Sequence, residues 1–187
     1  MQRLWITGYR NFELNTFNDQ DPKIKIIKNV LQTRLVNLLE NKQLDWVITG
    51  ANLGIEQWAC ESAIELRKKY YPLRVSIITP YEDFAHRWNE INQTKFINLT
   101  QQVDFFASTS NQAYYDAVQL RNYQNFMLLH TDAALMVYDA EYPGKAQYDY
   151  DLIRNYQQTT NYPLELIDFY DLQDAAEEYR DQERNQF

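Results

Sequence analysis

The feature that most constrains this chain is its alternation of short, uninterrupted apolar runs with longer amphipathic stretches. The runs cover residues 4–7, 46–49, 75–79, 104–108, 133–138 and 164–167. Several are continuous rather than alternating, as in Ala134-Leu135-Met136-Val137. Strands that read this way are buried on both faces and belong to parallel sheets. Between the runs lie helical patterns. The first begins at Pro22, a residue suited to an opening helical turn, and sets Ile24, Ile27, Leu31, Leu35 and Leu38 on one stripe. Others are expected over about 54–70, 84–102, 114–130 and 147–158, with a sixth from Leu172. Strictly alternating strands and helices predict a three-layer α/β/α sandwich: a mainly parallel sheet with the first strand central.

The 187 residues suit one domain, read here as 1–187, and they bury about 70% of the unfolded surface without staples. The polar tail from about residue 180 is expected to fray. The single cysteine, Cys60, excludes an internal disulfide, and its place on the second helix suggests a packing thiol. No apolar run approaches the ~20 residues of a membrane span, and the N-terminus lacks a signal-peptide core. A cytoplasmic protein without membrane contact is the expectation. Eighteen basic against 26 acidic residues leave a formal net charge of −8, which opposes nucleic-acid binding. No Cys/His spacing suggests a metal.

In such sheets ligands bind beyond the carboxyl ends of the strands, where strand order reverses. Candidate ligand-binding residues therefore follow the runs. They are Thr7, Gly8 and Arg10 after the first, Gly50, Asn52, Gly54 and Glu56 after the second, Thr79 after the third, and Asp139 and Gly144 after the fifth. All four glycines of the chain stand in these loops, either for turn geometry or for close approach to a ligand. The segment from Gly50 to Gly54 feeds a helix N-terminus, where free N–H groups and the dipole favour an anion. On that reading Gly54→Val removes ligand binding and leaves the fold intact. Glu56, in the first turn, either complements the dipole or accepts a hydrogen bond from a ligand. On the fourth helix Asn122 falls on a stripe with Tyr115, Val118, Phe126 and Leu129, so it needs either a backbone partner or a ligand. Arg121 beside it reaches phosphate or stays solvated. No residue carries a motif strong enough to be named catalytic.

Ile6-Thr7-Gly8-Tyr9-Arg10, the segment from Ile48 to Ala59, Ile78-Thr79-Pro80-Tyr81, Trp88, Asn92, Gln119 to Met127 and Ala134 to Asp139 together resemble the YpsA-like bacterial proteins of the SLOG superfamily. The resemblance covers nearly the whole chain. It implies a Rossmann-like fold similar to molybdenum-cofactor carrier proteins, phosphoribohydrolases once called lysine decarboxylases, and DNA-processing proteins. It also implies a nucleotide or ADP-ribose-like ligand, with Gly8, Gly50, Gly54, Glu56 and Asn122 lining its cleft and Gly144 on the phosphate side. The phosphoribohydrolase pattern P-G-G-x-G-T-x-x-E survives only as Pro143-Gly144. The expectation is therefore a sensor or regulator that binds a nucleotide derivative. The alternatives are a nucleotide-processing hydrolase or transferase, and a regulatory interaction protein linked to bacterial cell division. A homo-oligomer is compatible with each.

Overall fold

The computed structural model describes residues 2–185. Six strands, β1 (Arg3–Gly8), β2 (Trp46–Thr49), β3 (Arg74–Thr79), β4 (Phe105–Ser108), β5 (Ala133–Val137) and β6 (Leu164–Ile167), form one sheet. Its order is β4-β3-β2-β1-β5-β6 and every pairing is parallel. The first strand is central, as expected. Order reverses there: the chain steps from β1 outward to β4, then returns to β5 on the other side of β1. Right-handed crossovers accordingly divide the helices between the two faces. Helix α1 (Pro22–Glu40) packs against α2 (Ile55–Arg67), α2 against α3 (Glu90–Gln102), and α4 (Val118–His130) against α5 (Gln147–Tyr156). Helix α6 (Phe169–Arg184) returns onto α1.

Local chemistry sets the helix boundaries. Asp21 caps α1 by accepting the Lys23 N–H at 2.9 Å, with Pro22 as first helical residue, and Ile24, Ile27, Leu31 and Leu35 are buried. Helix α3 starts at Glu90 rather than Phe84. Asn89 caps it, accepting the Asn92 N–H at 2.9 Å, while Phe84 and Trp88 pack edge-to-face in the preceding turns. Helix α4 starts at Val118 rather than Tyr114. The Gln119 side chain accepts the Tyr115 N–H at 2.8 Å and donates to Ser110 Oγ at 2.9 Å, holding residues 110–116 as a loop. Helix α6 begins three residues earlier than expected, capped by Asp168, and continues to Arg184. The expected fraying from about residue 180 falls partly on residues 186–187, outside the described chain.

The core follows the strand order. Every residue of β5 and all but the first of β1 are buried. Strand β4 departs from the double burial expected of its apolar run: it lies at the sheet edge, and Phe105 is 52% exposed.

Candidate functional site

The carboxyl ends of β1 and β2 carry a buried polar cluster. Thr7, the penultimate residue of β1, places its hydroxyl 2.8 Å from Asp149 Oδ2 and 3.2 Å from Glu56 Oε1. Glu56 comes from the first turn of α2 and Asp149 from the first turn of α5. They are 1% and 7% exposed. A buried carboxylate is costly unless hydrogen-bonded. Glu56 Oε2 accepts the Asn52 N–H at 2.7 Å and the Asn52 side-chain amide at 2.8 Å. The Arg10 guanidinium stands 3.8 Å from Oε1. Asp149 Oδ1 accepts from the Gln124 amide at 2.6 Å.

The bridging hydroxyl has one proton for two acceptors. Two anionic carboxylates would leave one of these contacts without a hydrogen. Burial pushes the Asp149 carboxyl above its ordinary range, and the charge of Glu56 adds to it, against the opposing bonds from Gln124 and Thr7. Asp149 is thus the member that favours the proton. Tyr123 of α4 completes the cluster. Its phenol is buried without a hydrogen-bond partner, and burial, with Glu56 and Asp149 nearby, holds its pKa well above the usual value.

Gly50 makes room for this arrangement: a Cβ there would overlap the Glu56 carboxylate and stand 2.5 Å from the Tyr123 hydroxyl. Two further clips join the loops around it. Tyr9 Oη accepts the Asp139 N–H at 2.9 Å and lies 2.8 Å from the Tyr142 carbonyl. Glu13 accepts the N–H groups of Arg10 and Lys145, each at 2.6 Å.

The family model described as the YspA SLOG family matches residues 4–172. The chain belongs to the YspA SLOG family. Similar proteins, each named a UPF0398 protein, occur in Lactobacillus helveticus, 67% identical over 188 residues covering 100% of this chain and 99% of the relative, and in Lactobacillus acidophilus, 64% identical over 185 residues covering 99% and 98%. A relative in Lactiplantibacillus plantarum is 52% identical, with coverage of 100% and 98%.

Of the candidate residues read from the sequence, the structure brings Thr7, Arg10, Gly50, Asn52 and Glu56 into one cluster. Gly8 lies beside them for a packing reason, since a Cβ would stand 2.6 Å from the Val137 carbonyl oxygen of β5. Gly54 serves turn geometry. Its φ is +117°, it forms an antiparallel bridge with Arg10, and a Cβ would meet backbone atoms of Tyr9, Arg10 and Asn11 within 2.8 Å. The N–H of Ile55, the first residue of α2, donates to the Tyr9 carbonyl at 3.1 Å. A valine side chain at Gly54 would meet backbone at a positive φ, which argues for a folding defect where the sequence reading expects loss of binding alone. Asp139 closes its own loop, accepting from the N–H groups of Glu141 and Phe169 at 2.9 and 3.3 Å. Gly144 passes against the Glu13 carboxylate.

Thr79 stands apart from the cluster. It shares a 2.7 Å hydroxyl contact with Ser108 and lines a cavity of about 670 Å³ beside Tyr81 and Phe84. Arg121 and Asn122 are solvent-exposed on α4. The helix face read from the apolar letters is one residue out of register, because Gln119, Tyr123 and Met127 turn inward and Tyr115 and Leu129 outward. Asp149, Tyr123 and Gln124 escaped the sequence reading. An acidic residue in the first turn of the helix after the fifth strand parallels Glu56 after the second, and that symmetry was the available signal.

Among the described residues no helix is long and apolar enough to cross a membrane, and no group of three or more His, Cys, Asp or Glu is placed to hold a metal ion.

Proposed function

We propose that this protein is a cytoplasmic sensor or regulator that binds a nucleotide or nucleotide-derived ligand over Arg10 and the Gly50–Glu56 loop. One observation carries the reading. A cluster of polar and charged side chains is built where strand order reverses, with an unpartnered phenol beside it and a part-exposed guanidinium at its edge. Arg10 suits phosphate, which accepts two parallel N–H bonds from guanidinium. Asn52, part-exposed and held by the buried Glu56, offers its amide oxygen and second amide hydrogen to ribose hydroxyls or a base amine. A thermal-shift panel of nucleoside mono- and diphosphates, ADP-ribose and NAD tests it, followed by calorimetry on the best stabiliser. Arg10→Ala is expected to weaken binding roughly 10- to 100-fold, the worth of a charge-assisted bond. Absence of any stabilising nucleotide, together with no small molecule in native mass spectra of the purified protein, rejects the reading.

Asp149 favours a second reading. Paired carboxyl groups of which one holds its proton are the arrangement used for acid/base cleavage of glycosidic bonds. A hydrolase or transferase acting at an N-glycosidic bond would release free base from a nucleotide, and Asp149→Asn would abolish that release while retaining nucleotide binding.

A further inference from the structure

A groove of about 500 Å³ is walled by α1, α2, α3, the loop after β1 and, from the loop after β2, Leu53 and Gly54. Its polar lining is built largely of amides. Gln57 is only 4% exposed. Its Nε2 donates to the Ala51 carbonyl at 3.0 Å, which fixes the amide plane, and its Oε1 accepts no hydrogen bond. Among the described residues the side chains of Asn11 and Asn92 make no hydrogen bond, and Asn89 uses only its oxygen, as the cap of α3. Trp58 contributes an aromatic wall.

The charges lining the groove cancel. Lys28 is paired with Glu61, and Lys95 with Asp19 at 2.6 Å. No cation is left over for phosphate. An amide presents a donor and an acceptor side by side, as does each hydroxyl of a sugar, so neighbouring hydroxyls match a row of amides without requiring charge. Gln57 Oε1, held in a fixed plane and without a protein donor, is an acceptor that a ligand hydroxyl can take over from water.

We infer that this groove, which shares Leu53 and Gly54 with the Gly50–Glu56 loop, binds a neutral polyhydroxylated ligand, a sugar ring or polyol, through side chains other than those proposed to hold the nucleotide. Arg10, Thr7 and Asp149 do not line it.

The test is proton–nitrogen correlation NMR of the full chain titrated with D-ribose, D-glucose, D-galactose and glycerol, and separately with inorganic phosphate. At least one of the polyols is expected to shift the Trp58 indole and the Asn11 and Asn92 side-chain amides, and phosphate to leave them in place. Asn92→Ala removes a side chain with no partner in the protein, so it should fold normally and bind that polyol about tenfold more weakly. Arg10→Ala should bind it as the wild type does. The inference fails if no polyol moves these resonances, if phosphate moves them instead, or if Asn92→Ala binds unchanged. Loss of the sugar response in Arg10→Ala would make the groove part of the nucleotide site and overturn the claim that its own amides hold the ligand.

Discussion

Glu56 and Asp149 meet through a single hydroxyl, that of Thr7, at 3.2 and 2.8 Å. Since one proton cannot serve both contacts, the pair is linked to pH. The Asp149 carboxyl is raised in the folded state by burial. Its contribution to stability is then complete below its unfolded pKa of about 4 and is lost as pH rises through its folded value. Urea unfolding should show lower stability at pH 8 than at pH 5. Asp149→Asn should flatten that slope: its carbonyl still accepts from Gln124, while its amide donates to Thr7 and frees the hydroxyl to serve Glu56. An unchanged slope in the variant would place the pH dependence elsewhere.

Thr7→Val keeps the shape of the side chain and deletes the hydroxyl. The two carboxyl groups then face each other without a mediator, at a cost of roughly 1–3 kcal/mol. Denaturation midpoints should fall more at pH 8 than at pH 5.

Gly50 and Gly54 should respond differently to alanine. At Gly50 the obstruction is the Glu56 carboxylate and the Tyr123 hydroxyl, which are side-chain ends able to shift, so a loss of about 1–3 kcal/mol with a retained fold is expected. At Gly54 the obstruction is backbone and φ is positive, so Gly54→Ala should be the more damaging of the two by thermal melting.

Nearly all of the architecture was legible in the sequence, because continuous apolar runs and 3.6-residue stripes report burial directly. On β4 the letters misled because an edge strand has only one covered flank, and on α4 because polar side chains point inward. Gln119 and Tyr123 occupy the inward face of α4, since an amide that holds a loop and a phenol that reaches the carboxyl cluster are better placed inside than Leu129. The candidate site was half legible. Thr7, Asn52 and Glu56 lie within a few residues of strand ends and could be found by position. Asp149 joins them only through the crossing of α5 over the sheet, a contact between segments 142 residues apart that no local pattern encodes.

Tyr9→Phe should lower stability by roughly 1–3 kcal/mol, because the Asp139 N–H loses its acceptor and the Tyr142 carbonyl its donor. In the wild type the Tyr9 phenol, raised to about 12 chiefly by burial, should stay un-ionised through an ultraviolet titration to pH 11.

Cys60 is fully buried, and burial lifts its thiol to about 12. Iodoacetamide should leave it unmodified in the native protein at pH 8 and alkylate it in urea. Rapid native labelling would contradict the described packing of α2.

The central position of β1 also bears on how the protein is made. One edge of β1 pairs with β2, complete by residue 49, but the other edge has no partner until β5 begins at Ala133. At ~5–20 residues per second, synthesis leaves that edge open for on the order of ten seconds. The middle of the sheet is therefore the last part of β1 to close, and a chain truncated before Ala133 presents its hydrophobic centre, not its rim, to chaperones and to other nascent chains.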